Sequence, residues 1–285
     1  MGSDVKKEIN SAGYPKYHRQ RFIITLLQYL NSSLSWEEFQ KILFLSQQET
    51  EIFYYDFVLS SNEFYSFQAV SDIETLHRLG WIDIKNNKIV LLYKLPSEKG
   101  LSQAETQKLF RFTREKEKKY FKEQLLFSNH AKPCEEDFLC DESVLFTIGY
   151  EGISFEEYIN QLLRKNVRLL CDVRMNPISR KFGFSKGILS EVLPKFGIKY
   201  LHIPELGIIS SSRKELHAAS DYQYLFENYK KELKKKNKFL SIVRDALAEY
   251  KKIALTCFEH QPLFCHRHCI SDYIQKERNV TVIHL

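Results

Sequence analysis

Near its C-terminus the chain carries Cys257-x-Glu259-x-x-Pro262-x-x-Cys265-His266-Arg267, which concentrates two thiols, a carboxylate, an imidazole and a guanidinium in one short element. A thiol at the start of a helix becomes nucleophilic when its pKa is lowered, and Cys265 with His266 as its base fits that chemistry. The same helix start with Arg267 suits an anion, and Cys265 then needs only to be small. Of these two the anion clamp is preferred. Cys257, Cys265, Cys269, His260 and His266 are also metal-ligand types, although spacings of x7 and x3 between the cysteines match no closed zinc pattern. Cys257 and Cys269 read equally well as small core residues.

A second cluster is Asp172-x-Arg174-x-Asn176-x-x-Ser179-Arg180, with Lys181 and Lys186 just beyond. Arginine forks suit phosphate oxygens. Asp172, Glu205 and Glu259 form the rival set. Two converging carboxylates are enough for general acid/base work on a glycosidic bond, or for holding one divalent cation. The bland alternative is a buried salt-bridge network with the same arginines. Tyr150 and Glu151 complete the candidates as substrate contacts.

What brings these residues together is an alternation of short apolar runs with helical segments. VLFTIG (144–149), VRLLCDV (167–173), KYLHI (199–203), KIALTCF (252–258) and the terminal VTVIHL read as strands. Helices are expected from Ser154, whose capping partner is Glu157, over 185–197, over 221–250 as two basic helices, and over 265–277. That pattern predicts an α/β domain over 142–285, a mostly parallel Rossmann-like sheet with flanking helices, and such sheets bind ligands beyond the carboxyl ends of their strands. Asp172, Arg174, Glu205, Glu259, Cys265, His266 and Arg267 all gather where strands end.

Four motifs in order, TIGY (147–150), DVRMNPISR (172–180), GIKYLHIPELG (197–207) and CFEHQPLFCHR (257–267), resemble the family called domain of unknown function 488. Tyr150-Glu151 stands where His-Ser is common in that family, and Ile208 where a second glycine often follows. The resemblance implies an α/β fold and, through the association of similar two-part proteins with DNA repair, a nucleic-acid connection. It supplies no reaction.

The N-terminal part reads differently. RQRFIITLLQYL repeats apolar residues at helical spacing. Ser35-Trp-Glu-Glu38 is a capping box opening a helix with Phe39, Ile42, Leu43 and Ser46 on one stripe, and a third helix over 66–79 stops at Gly80. WIDIK and KIVLL flank Asn86-Asn87 as a tight hairpin. Three helices and a hairpin predict a winged-helix-like domain over 1–95, for recognition or dimerisation. Parts of it (QKILFLSQQ and YSFQAVSDIETLHRLGWI) loosely resemble Panacea-type antitoxin domains, without that family's Pro- and Gly-containing turn. The third helix is a poor reading head, offering His77 and Arg78 against Asp72 and Glu74. Residues 96–141 read as a helical connector with a solvated face, and Cys134-x5-Cys140 within it is unlike common zinc knuckles.

Composition sets the outer bounds. At 285 residues with 44% hydrophobic and 27% charged, the chain is folded and two-domained. It has no apolar run of membrane length and no secretory h-region, so no membrane association and a cytoplasmic location are expected, with its six cysteines reduced. A net charge of +6 permits a polyanionic partner. DYQYLFENYKKELKKKNKF, from Asp221 on, interleaves rings with lysines, which suits single-stranded nucleic acid or a flipped base. The sequence-level expectation is therefore a hydrolase of glycosidic or phosphate bonds acting on nucleic acid or a phosphate-bearing small molecule, without an organic cofactor, with a homodimer through the winged domain left open. A non-catalytic DNA-binding or antitoxin-like regulator is the alternative, and a thiol or metal redox protein is the third reading.

Overall fold

The structure, a computed structural model, describes residues 13–60, 63–115, 142–209 and 219–285. It divides into two compact units, Met1–Lys132 and Pro133–Leu285. Cys134, Cys140 and the second half of the expected connector lie outside the described residues. Among the described residues no helix is long and apolar enough to cross a membrane.

The first unit runs α1 (His18–Leu30), β1 (Leu34–Ser35), α2 (Trp36–Thr50), β2 (Val58–Ser60), β3 (Glu63–Tyr65), α3 (Phe67–Arg78), β4 (Ile82–Lys85), β5 (Lys88–Leu91) and α4 (Gln103–Glu115). The capping box at Ser35 closes in both directions, with Glu38 N donating to Ser35 Oγ at 3.2 Å and Ser35 N to Glu38 Oε2 at 2.8 Å. Asn86 and Asn87 both take positive φ, 51° and 59°, so β4 and β5 meet in a tight hairpin, and β5 pairs antiparallel with β1. The β2–β3 hairpin has no counterpart in the sequence reading, because three-residue strands are too short to show alternation.

Two findings revise the sequence picture here. Asp72 points inward and is almost fully buried, accepting hydrogen bonds from Arg19 Nε (2.6 Å), Gln20 Nε2 (2.8 Å) and Tyr55 OH (3.0 Å). Helix α4, which begins the stretch read as a connector, buries Leu109 and Phe112 in the same core as Phe22 and Phe39. Its apolar stripe is narrow and hidden in a charge-rich string.

The second unit runs β6 (Val144–Gly149), α5 (Phe155–Arg164), β7 (Leu169–Asp172), α6 (Lys186–Val192), β8 (Lys199–His202), α7 (Ala219–Leu233), α8 (Asn237–Tyr250), β9 (Lys252–Cys257), α9 (Arg267–Arg278) and β10 (Thr281–His284). All five strands are parallel, in the order β10-β6-β9-β7-β8. Alternate residues explain the layers. Leu145, Leu169, Cys171, Ile253 and Leu255 pack with Leu240, Val243, Ile270 and Ile274 of α8 and α9. On the opposite face Tyr158 of α5 donates its hydroxyl to Thr256 Oγ1 at 2.7 Å. Ser154 caps α5 by accepting from Glu157 N, while the Glu157 carboxylate pairs with Arg164 instead of closing a box.

Because β9 lies between β6 and β7, the register places Cys257 beside Gly149 and Thr256 beside Asp172. Three of the motifs meet through that pairing.

In the first unit Glu105 accepts hydrogen bonds from Tyr54 OH (2.5 Å) and from Ser102. Partial burial opposes its charge, but these bonds outweigh burial and bring its carboxyl down to about 2. Its stabilising contribution is therefore complete above an unfolded value near 4.5 and is lost as pH falls through that range toward 2. Glu105→Gln should cost this unit ~1–3 kcal/mol at neutral pH in denaturant titrations, with the difference from wild type closing near pH 2.

Candidate active site at the strand ends

From Cys257 at the end of β9 the chain crosses above the sheet and re-enters α9 at Arg267. This crossing is held in place by groups that the sequence reading assigned to substrate. Glu151 N donates to Phe258 O (2.9 Å), and His260 N donates back to Glu151 Oε2 (3.0 Å). Arg267 is fully buried and donates through Nη1 to Glu259 O, through Nη2 to His260 O (2.6 Å) and through Nε to Thr147 Oγ1 (3.4 Å). Arg267 is thus no anion clamp, since its fork grips backbone carbonyls. The glycine of TIGY is explained by the same crossing, because a Cβ on Gly149 would land on the Glu259 carbonyl.

The Asp172 cluster is corrected in the same direction. Its carboxylate has no exposure and accepts from Arg174 Nε (2.8 Å), Arg174 Nη2 (2.5 Å), Arg174 N (3.1 Å) and Tyr200 OH (2.7 Å). An acid/base role needs a carboxylate oxygen that substrate can reach, and both oxygens here are enclosed. Arg174 Nη1 also donates to Tyr150 OH and Phe184 O, both at 2.8 Å. Burial works against the guanidinium charge, and the Asp172 carboxylate overrides it, holding Arg174 protonated. Tyr150 stacks on Phe184 with ring centroids 4.3 Å apart, and Lys181 Nζ donates to Tyr150 O at 2.6 Å. Desolvation lowers the Lys181 pKa. Lys186 turns to His202 Nδ1 (3.2 Å), whose Nε2 donates to Arg174 O (2.9 Å).

Beneath the crossing lies a cluster of different character. His266 Nε2 is 2.9 Å from Val173 O, and since a carbonyl only accepts, Nε2 carries the proton. The other ring nitrogen, Nδ1, lies 3.6 Å from Cys257 Sγ and 3.9 Å from Cys265 Sγ. All three residues are buried, and their ligand atoms lie within 4.8 Å of one another. Cys257 Sγ donates to Glu259 Oε2 at 3.3 Å. Burial, followed by the neighbouring Cys257 thiol, pushes the Cys265 thiol well above its ordinary value, which is opposite to the lowered pKa expected of a helix-start nucleophile. Cys171 and Cys269 are buried, and desolvation brings each to about 12, as for inert core thiols.

A cavity of about 310 Å³ opens over this cluster, walled by Cys257, His266, Tyr150, Arg174, Ser179 and Arg180 together with Met175, Asn176, Ile178, Phe258 and Ile208. Arg180 is exposed at its edge, and Ser179 Oγ accepts from Lys181 N in a local turn. Glu205 sits exposed on the turn after β8 and does not line the cavity. The sequence reading missed Tyr200, Val173 O and the apolar wall of Met175, Phe258 and Ile208. Tyr200 could have been suspected from its position in the GIKYLHIPELG motif, but a backbone carbonyl leaves no trace in sequence. Gly207 allows close approach, since a Cβ there would strike the Met175 backbone.

An all-parallel five-stranded sheet flanked by helices, with a cavity beyond the carboxyl ends of its central strands, makes this unit an α/β domain. Residues 154–274 match the family model described as Domain of unknown function DUF488, in agreement with the motifs of the C-terminal half. The match spans three of the four motifs and does not reach the region resembling Panacea-type domains. No curated protein and no solved structure matches the chain.

Asp172→Asn should destabilise the second unit by ~3–5 kcal/mol, because it strands a buried guanidinium. Arg267→Ala should unfold the crossing and the cavity with it. Chemical denaturation, run beside ligand binding, separates these structural losses from a purely catalytic effect.

Proposed function

We propose that the second unit is an enzyme that hydrolyses a glycosidic or phosphate bond in nucleic acid or a nucleotide, with the first unit as its recognition or dimerisation module. The observation carrying this reading is the strand-end cavity with Cys257 and His266 on its floor and a cationic, hydrogen-bonding edge at Arg180, Ser179 and Asn176. The floor offers reactive side chains, and the edge offers donors for a phosphate. With Asp172 enclosed, Glu259 is the carboxylate best placed to move a proton, since its Oε2 touches the Cys257 thiol.

A neighbouring cavity of about 620 Å³ shares Met175 and Ile208 with the first and adds Tyr224, Tyr229 and Lys236. Tyr224 is 71% exposed, and Lys236 reaches over the Tyr229 ring. A base stacked on an exposed ring beside lysines is the arrangement that single strands use. The reading as a non-catalytic nucleic-acid-binding regulator draws its support from the hairpin tip of the first unit, where Lys85, Asn86, Asn87 and Lys88 are all exposed. There the hairpin, and not α3, would meet the backbone.

The test is a panel of single- and double-stranded DNA, RNA and nucleotides assayed for both binding and product. Arg180→Ala should weaken binding by ~1.5–3 kcal/mol. Replacing Lys234, Lys235 and Lys236 with Gln should weaken it for all sequences alike and flatten the salt slope by ~1 for each phosphate left without its lysine. Binding without product across the panel would favour the regulator, and no binding would sink both readings.

A further inference from the structure

The Cys257–Cys265–His266 cluster has a geometry that neither a nucleophile nor a packed core requires. A packed core does not need an imidazole nitrogen set between two sulfurs. A Cys–His nucleophile needs one thiol, and the thiol next to the helix start, Cys265, is the one that burial keeps from the cavity wall. A tetrahedral zinc ion bound at about 2.3 Å to sulfur and about 2.0–2.1 Å to nitrogen sets those ligands about 3.5 Å apart. The two sulfur–nitrogen separations here, 3.6 and 3.9 Å, are already close to that. The second requirement of a metal-binding histidine is also met, because its other ring nitrogen is tied to the Val173 carbonyl, fixing tautomer and ring plane.

We propose that Cys257 Sγ, Cys265 Sγ and His266 Nδ1 bind one zinc-type transition-metal ion whose remaining coordination position gives onto the strand-end cavity. Two thiolates and a neutral imidazole form a soft donor set that prefers zinc to magnesium or calcium, and they neutralise a divalent ion, which suits burial. Binding releases both thiol protons to solvent. Cys257 and His266 wall the cavity, so the fourth ligand is a water or an oxygen of the bound substrate. Glu259 is not one of the three clustered ligands and stands beside Cys257, where it can take a proton from such a water. The inference rests on the functional proposal only in taking this cavity as the reacting site. The metal site stands on its own geometry.

The experiment is elemental analysis of the purified full chain, followed by chelator treatment and titration with Zn²⁺ or Co²⁺. The expected result is about one metal ion per chain and, with Co²⁺, thiolate-to-cobalt charge-transfer absorption. Cys257→Ser, Cys265→Ser and His266→Gln should each lower affinity by more than the ~10–100-fold typical of losing an outer partner, while Cys269→Ser keeps the metal. Should the ligand variants fail to fold, the wild type answers by itself, since the cobalt charge-transfer absorption must appear on adding Co²⁺ to the metal-free chain and disappear with chelator. A chain that takes up neither ion, or keeps its metal in the Cys257 and Cys265 variants, overturns the site. Metal bound without turnover on any nucleic substrate retains the site and sinks the hydrolase reading. Turnover by the chelated, metal-free protein keeps the hydrolase reading and overturns the placement of the metal at its reacting position.

Discussion

Two buried guanidiniums organise the strand-end surface of the second unit, and the position of every reactive group there depends on them. A charge taken from water into a protein interior costs several kcal/mol unless partners replace its hydration. Arg174 regains that cost from Asp172 in a bidentate pair, with the Tyr150 hydroxyl and the Phe184 carbonyl on its remaining nitrogen. Arg267 regains it from the carbonyls of Glu259 and His260 and from the Thr147 hydroxyl. Each arginine thereby fixes loop backbone that has no regular secondary structure of its own. Loop carbonyls above a sheet would otherwise turn to water, and the cavity would have no defined floor.

This division of labour explains why the surface is so rich in charged residues while few of them face the cavity. Asp172, Arg174, Glu151 and Arg267 are consumed in holding the loops, and Lys181 is partly spent on the Tyr150 carbonyl. The groups at and beside the cavity floor are softer and smaller: two thiols, an imidazole and the Glu259 carboxylate, with the exposed Arg180 at the edge. The rigidity supplied by the buried pairs is what allows three ligand-type atoms to be held near each other in a fixed arrangement. Preorganisation of that kind is the usual requirement for a metal centre or a reacting group.

Among the described residues of the first unit a buried carboxylate plays a comparable part. Asp72 on α3 gathers Arg19, Gln20 and Tyr55, tying α1 to α3 and to the segment after α2. The inward turn of Asp72 removes one negative charge from the outer face of α3.

Periodicity and turn chemistry are local, and so the sequence by itself determined most of the elements, the three-residue β2 and β3 excepted. The capping box at Ser35, the positive φ at Asn86 and Asn87, the glycine stop at Gly80 and the alternation of apolar runs with helices after Glu142 all appear where their residues place them. The motifs also determined that chemistry-bearing residues gather at strand ends, because a parallel sheet leaves no other edge for them. Strand order and partner choice were decided only by the tertiary structure. Nothing local to β9 says that it inserts between β6 and β7, yet that insertion sets Cys257 beside Gly149 and brings Asp172 into the same region. Nor does the type of an arginine or aspartate say whether it faces solvent or a carbonyl. Arg267 and Arg180 look alike in sequence, and they differ because one lies under a crossing chain whose carbonyls need donors while the other lies beyond it, in water.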